Sequence, residues 1–202
     1  MGKPLLLLAL VATVTACGFG AGGAGPVPAG NGICGTRSVV GEQIAPIQNG
    51  ACGIEAPVRI TSVAGVRLSQ PATLDCTAVR ALERWTIRTA RPAVGGRHGG
   101  LSELTVAASY VCRGRNRQSG AKLSEHAFGR AIDISGFVTR DGTRVTVKEG
   151  WGRFGAAART LKTMRRGACG PFSTVLGPGS DSYHADHFHF DVARQRNGPY
   201  CK

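Results

Sequence analysis

The sequence predicts an α+β fold in which helices flank a small antiparallel sheet that disulfides staple. Apolar residues make up 42% of the 202 residues, which is enough for a sizeable core and argues against wholesale disorder. Glycine (30) and proline (10) are abundant without a collagen-type period, which favours a loop-rich mixed fold over a helical bundle. Strand-like and helix-like runs alternate between residues 57 and 192.

Residues 1–16 have the pattern that is typical of an export signal. Its apolar stretch, residues 5–14, is too short to anchor a protein in a bilayer. The stretch ends in the sequence VTAC, which resembles a bacterial lipobox, so we expect Cys17 to carry a lipid; the alternative is an ordinary signal peptide that contains a cysteine. Residues 17–32 then form a Gly/Pro-rich tether of roughly 20 Å, and residues 33–202 form the folded domain.

The remaining six cysteines predict up to three disulfides, because an even number is typical of an exported domain. The segment between Cys52 and Cys76 is compact, so we favour that pair. No CxxC motif occurs, which argues against a cysteine zinc site or a thioredoxin-type pair. The disulfide candidates are Cys34, Cys52, Cys76, Cys112, Cys169 and Cys201.

The first half of the domain predicts a hairpin and a helix. Residues 57–68 alternate around a tight turn, as a β-hairpin does. Thr73 or Asp75 can cap a helix that runs to about Thr89, and residues 91–100 are expected to form a loop. The apolar face of this helix consists of Ala78, Leu82 and Trp85.

The second half predicts four strands and a second helix. A turn at residues 139–142 joins two of the strands, and Gly167 ends the helix. The predicted strands are residues 104–111, 132–138, 143–147 and 187–192. The predicted face of the second helix consists of Phe154, Ala158, Leu161 and Met164.

The net charge of +13 predicts an anionic partner, either nucleic acid, anionic lipid or an acidic cell-wall polymer. Export argues against nucleic acid, and so does the spread of the arginines along the chain. No later apolar run is long enough to span a bilayer, which excludes a polytopic membrane protein. We expect a monomeric, lipid-anchored periplasmic protein, and the glycine after Cys17 fits an anchor in the outer membrane.

Four of the five histidines lie in two short clusters that also contain carboxylates. In a strand at 187–192, His187, His189 and Asp191 share one face, and the intervening phenylalanines face the core. His126 precedes a glycine turn and can fold back beside Asp133. Adjacent strands could therefore present His126, Asp133 and His189 to one metal ion, with a position left open for water. The competing interpretation is a set of hydrogen-bonded structural histidines.

The motifs around these clusters resemble those of a known superfamily. Ser-x-His-x-x-Gly-x-Ala-x-Asp resembles the signature of the D-alanyl-D-alanine peptidase, lysostaphin and hedgehog zinc proteins, and His-x-His at His187 is similar to their second motif. More closely, residues 34–202 resemble the bacterial extensin-like C-terminal domain family. That resemblance rests on residues 52–57, 74–76, 124–129 and 184–191. It implies the superfamily's hedgehog- and peptidase-like fold.

The resemblance implies a zinc ion on His126, Asp133 and His189. It leaves two candidates for the general base, Asp186 and His187. It also implies a Tyr-Arg element that binds a substrate carboxylate. Here Tyr110 is separated from Arg113 by two inserted residues, and Arg115 is the rival arginine. The substrate-binding candidates are Tyr110, Arg113, Arg115, Ser124 and His184.

The function these observations favour is that of a zinc peptidase that acts on peptidoglycan stem peptides. Zinc-activated water would hydrolyse the amide bond. The alternative is a non-catalytic, metal-bearing module that binds the cell wall or shapes the envelope. A third interpretation is a non-haem iron enzyme, because two histidines and a carboxylate also form that ligand set.

Overall fold

The computed structural model describes residues 2, 32–195 and 197–202. The predicted signal, the lipidation at Cys17 and nearly all of the tether lie outside the described residues. No helix in the described part of the chain is both long and apolar enough to cross a membrane.

The sheet is larger than predicted and mixed in direction. Among the described residues, nine strands form one sheet in the order β1-β4-β5-β6-β7-β10-β9-β11, with β8 paired to β7, and β2 and β3 form a separate hairpin. The pairs β5/β6 and β9/β11 are parallel, so the prediction of a small antiparallel sheet is wrong. The short strands at both edges lack the alternation that reveals strands in sequence. The strands are Val39–Gln43 (β1), Ile47–Asn49 (β2), Cys52–Ile54 (β3), Val58–Val63 (β4), Val66–Leu74 (β5), Leu101–Ala108 (β6), Ala131–Thr139 (β7), Arg144–Thr146 (β8), Thr174–Leu176 (β9), Phe188–Asp191 (β10) and Tyr200–Cys201 (β11).

The first predicted helix is confirmed, and Asp75 rather than Thr73 caps it. The Asp75 carboxylate accepts a hydrogen bond from the Ala78 backbone N–H at 2.7 Å. Helix Cys76–Trp85 (α1) continues through the π-helical segment Thr86–Ala90 into Arg91–Val94 (α2). The prediction of a loop from residue 91 is therefore wrong at its start, because Pro92 lies in a first helical turn, where proline is tolerated.

The second predicted helix is confirmed over a shorter range. Val147–Gly150 forms a single turn (α3), and the helix itself spans Ala156–Arg166 (α4). Phe154 was predicted to lie on the buried face of this helix, and this prediction is wrong because the residue is fully exposed. Gly155 adopts a left-handed φ of 105° at the N-cap, so the helix begins at Ala156 and leaves Phe154 outside it.

The helices cover one face of the sheet and bury its apolar side. Trp85 of α1 packs edge-on against Phe190 of β10, with ring centroids 5.1 Å apart. The Trp85 indole N–H donates to the carbonyl of Met164 in α4 at 2.9 Å, which joins the two helices. Because side chains alternate along β10, the neighbours of Phe188 and Phe190 point to the opposite face. That opposite face is where the polar residues gather.

Three disulfides connect the predicted cysteines, but the favoured Cys52–Cys76 pair is wrong. The bridges are Cys34–Cys76, Cys52–Cys112 and Cys169–Cys201. Cys76 opens α1, where the turn Ile33–Gly35 packs, whereas Cys52 on β3 meets the segment that follows β6. All three bridges and the described core, from Ile33 to Phe190, lie within residues 33–202. This segment therefore carries the whole of the described core.

Candidate metal centre

Two of the predicted metal ligands lie directly opposite each other on neighbouring central strands. Asp133 of β7 pairs with His189 of β10 in antiparallel register. Their neighbours in the same register, Phe188 and Ile134, belong to the apolar core. The strand alternation that predicted this division of faces is confirmed.

His126 reaches the same place through a tight turn before β7. It lies in the 3-10 turn Glu125–Phe128, which Gly129 ends in the left-handed conformation with φ 66°. A Cβ at position 129 would lie 2.3 Å from Cδ1 of Ile54, so the turn also needs the absence of a side chain. The turn folds His126 back onto the strand that it precedes.

The three side chains form one compact buried group that could hold a metal ion. Nε2 of His126 lies 3.1 Å from Oδ1 of Asp133 and 3.1 Å from Nδ1 of His189. Nδ1 of His189 is 2.9 Å from the same aspartate oxygen. The residues are 0%, 4% and 7% exposed for His126, Asp133 and His189. The predicted grouping of these three residues is confirmed.

The far nitrogen of each histidine has its own hydrogen-bond acceptor, which determines the tautomer. Nδ1 of His126 donates to the backbone carbonyl of Ser109, because a carbonyl can only accept. Nε2 of His189 lies 3.0 Å from Oδ2 of Asp191 and donates to that carboxylate. In the neutral rings, the two nitrogens that face Asp133 therefore carry lone pairs. Two lone pairs and a carboxylate oxygen within about 3 Å need a cation or an extra proton between them.

The shifted pKa values of Asp133 and His189 also indicate that the group favours a positive charge. Burial opposes ionisation of Asp133, but hydrogen bonds from His126 and His189 and their charges outweigh it, so the pKa of Asp133 is well below its usual range. Burial likewise opposes protonation of His189. The hydrogen bonds to Asp133 and Asp191 nevertheless raise the pKa of His189 to about 9. The site thus stabilises positive charge in a buried position.

The second histidine cluster forms the border of this group. Nε2 of His187 lies 3.7 Å from Oδ2 of Asp133, and its Nδ1 is 2.9 Å from Oδ1 of Asp186. Asp186 is exposed and contacts the far side of His187 rather than the buried group. His184, a predicted substrate-binding residue, is buried, and its ring packs against the rings of His187 and His189. Of the two base candidates, the structure brings His187 close to the metal ligands.

Asp181 holds His184 in this position. Oδ1 of Asp181 accepts from Nδ1 of His184 at 2.7 Å. Burial lowers the pKa of His184, although the bond to Asp181 acts in the other direction. A neutral His184 therefore adds no positive charge beside the buried group.

The predicted substrate-binding residues lie in the segment that leads to His126. The Val111 backbone N–H donates to the carbonyl of His126, and that of Ser124 donates to the carbonyl of Arg113. The Tyr110 hydroxyl and Nε of Arg113 are buried, and neither has a hydrogen-bond partner among the described residues. Arg115 is exposed and lies 3.9 Å from the Glu125 carboxylate. The roles assigned to these residues stay predictions.

Sequence reasoning assigned no role to two groups that orient the ligands. The carbonyl of Ser109 could not be found from side-chain chemistry. Asp191 shares a strand face with His189, and the His-x-Asp spacing was the signal that could have identified it. Such partners of ligating histidines are a common feature of metal sites.

A disulfide-bonded α+β domain with a buried His-Asp-His group belongs to the class of candidate metal-binding domains. The family model described as "Extensin-like protein C-terminus" matches residues 34–202, and the chain belongs to this family. No curated protein and no solved structure matches the chain. The predicted family is confirmed, and its relationship to the zinc peptidase superfamily stays a prediction.

Proposed function

We propose that this protein is an envelope lipoprotein whose zinc centre hydrolyses amide bonds in peptidoglycan stem peptides. The observation that carries the proposal is the convergence of two imidazole nitrogens and one carboxylate oxygen within 3.1 Å. Each histidine is already oriented by a second acceptor, as metal-ligating histidines are.

The donor set fits zinc. Two neutral imidazoles and one carboxylate match catalytic zinc sites, which use three protein ligands and keep one position open. His126, Asp133 and His189 would hold the ion. A bound zinc ion would lower the pKa of its water and polarise the scissile carbonyl.

His187 is the residue placed to accept and return a proton. Its Nε2 faces Asp133, and its Nδ1 is occupied by the Asp186 carboxylate. A carboxylate in this position fixes the tautomer that leaves Nε2 free to accept. Asp186 thus acts through His187 as a positioning residue. The peptide approaches past His187, which is partly exposed, because the ligands themselves are buried.

Tyr110 and Arg113 are suited to hold an anionic part of the substrate. A buried donor without a partner is costly, so the Tyr110 hydroxyl and Nε of Arg113 favour a ligand that accepts from them. A carboxylate of a stem peptide supplies such acceptors and matches the guanidinium fork. Arg115 is less suited, because it is exposed and lies beside Glu125.

The proposed location follows from the sequence. An export signal, a lipobox cysteine and a Gly/Pro-rich tether favour a domain that is held at a bacterial membrane and faces the cell wall. Peptidoglycan is the peptide-bearing polymer within reach of such a tether.

The test measures bound metal and hydrolysis in the same oxidised sample of residues 33–202, prepared without chelator. Elemental analysis measures the metal, and mass spectrometry follows fragments released from peptidoglycan. We expect about one zinc per chain and new peptide fragments, with both lost in His126→Ala. His98→Ala is the matched control, because His98 is exposed and pairs with Asp141 outside the site.

Three results would contradict the proposal, each in a different way. Zinc without cleavage would favour the non-catalytic wall-binding module. Iron in place of zinc would favour the non-haem iron enzyme. Retention of metal and cleavage by His126→Ala would show that the ligand assignment is wrong.

A further inference from the structure

Positive charge is concentrated in two segments on the sheet face opposite the metal centre, residues 84–100 and 151–180, which are together called the helical layer. They carry nine lysines and arginines and no aspartate or glutamate. The arginines are spread along the chain, but the fold packs these two segments against each other. Eight of the nine side chains belong to exposed residues: Arg84, Arg88, Arg91, Arg97, Arg153, Arg159, Lys162 and Arg166.

These cations are not neutralised within the described part of the chain. The arginines in its ion pairs are Arg59, Arg67, Arg115 and Arg130, and all of them lie outside the two segments. Within the segments, Arg97 bonds the Ala93 carbonyl and the Thr160 hydroxyl, which are neutral. The layer therefore keeps a positive field that favours an external anion.

The cations surround a groove between the two segments. A cavity of about 440 Å³ is lined by Arg88 and Arg166, among others. A smaller cavity of about 130 Å³ is lined by Arg97 and Arg159. Ala93 and Thr163 line both cavities, so the two lie side by side. Arginine forks bind phosphate oxygens in pairs, and the groove offers four of them.

Two features favour a lipid surface over a soluble polyanion. Ile87 and Phe154 are exposed apolar residues within the same two segments, and exposed apolar groups among cations are typical of interfacial membrane contacts. The turn Ile33–Gly35, which follows the predicted tether, is joined to α1: Cys34 is bonded to Cys76 in the first turn of α1, and its carbonyl accepts from Arg80. The predicted tether therefore joins the folded domain beside α1.

We propose that the helical layer docks on the surface of an anionic phospholipid bilayer. The four groove arginines bind lipid phosphates, and Phe154 enters the headgroup region. The metal centre on the opposite sheet face then points away from the membrane. A polybasic surface adds electrostatic attraction to the hydrophobic anchoring that the predicted lipid on Cys17 would supply. This inference does not depend on the proposed hydrolysis.

The test uses residues 33–202, which carry the whole described core and all three disulfides. Sedimentation measures binding to phosphatidylcholine vesicles and to vesicles in which about a third of the lipid is phosphatidylglycerol. We expect binding to the anionic vesicles alone, and release at about 0.5 M salt. Arg88→Gln/Arg166→Gln should weaken binding at least about tenfold. Arg97→Gln/Arg159→Gln provides a second groove variant if the first does not fold.

The matched control is Arg117→Gln/Lys122→Gln, which removes two charges from an exposed loop before the metal-ligand turn. It should weaken binding by no more than about twofold, because its charges do not line the groove. An equal loss in the groove and control variants would overturn the proposal. So would equal binding to neutral vesicles, or groove-dependent binding to isolated cell-wall sacculi without binding to vesicles.

Discussion

The two faces of the β7/β10 strand pair share one backbone but differ in chemistry: one face is apolar and the other is polar. On one face, Phe188 and Phe190 pack under the helices. On the other face, Asp133, His189 and Asp191 form a continuous chain of polar contacts. Both faces are buried, so they differ in the contacts that take the place of water: apolar packing on one face and polar contacts on the other.

The two faces should respond differently to substitution. Apolar packing is a sum of many weak contacts, and its loss grows with the volume removed. A buried polar group depends on complete satisfaction, because one missing partner leaves another group unpaired. The apolar face should therefore set the stability of the domain, and the polar face should set its metal affinity.

The largest expected effect is on the apolar face. Phe190→Ala removes a fully buried ring that contacts Trp85 and Phe172, each with centroids 5.1 Å away. The free energy of unfolding should fall by about 3–5 kcal/mol. Denaturant titration of the oxidised domain measures it.

Phe154→Ala is the control for this change. Phe154 is fully exposed, so the same truncation should alter the free energy of unfolding by less than about 0.5 kcal/mol. If both variants lost similar stability, the assignment of the core to the helical face of β10 would be wrong.

The second expected effect is on the polar face. Asp191→Asn keeps the shape of the side chain but weakens the acceptor that orients His189. Metal affinity should fall about 10–100-fold, as it does when such a partner is lost. Competition with a chelating dye measures the affinity.

Asp141→Asn provides the matched comparison, because Asp141 also bonds a histidine, at 2.8 Å, but on the surface. It should leave metal affinity unchanged. An unchanged affinity in Asp191→Asn as well would show that the polar face binds metal without help from Asp191, or that it binds no metal.

The faces of this strand pair could be predicted from sequence because alternation is a local property. His189 and its phenylalanine neighbours follow one another, and the period of a strand assigns them to opposite faces. The cap at Asp75 and the glycine turn after His126 are local for the same reason. Asp133 completes the group because its strand follows that turn directly.

Features that depend on distant pairing could not be predicted. Cys52 pairs with Cys112, 60 residues away, and no local pattern distinguishes that partner from Cys76. The parallel pairs β5/β6 and β9/β11 likewise join segments whose order the sequence does not show. The concentration of charge in the helical layer arises in the same way, since it requires two segments to meet.

The smallest expected effect tests the turn that brings His126 to the polar face. Gly129→Ala forces a side chain into the left-handed conformation, which costs about 1–2 kcal/mol, and its Cβ would displace Ile54. Because His126 lies within this turn, the strain should reduce metal affinity as well as stability. Chelator competition and denaturant titration of the same sample measure both.

Gly142→Ala separates these two consequences. Gly142 has a φ of 87°, and a Cβ there would meet nothing within 4 Å. This variant should lose less stability, through its backbone alone, and keep its metal affinity, because its turn joins β7 to β8 away from the ligands. If Gly129→Ala lowered metal affinity no more than Gly142→Ala, the turn would not be what positions His126. The polar face would then depend on the two strands alone.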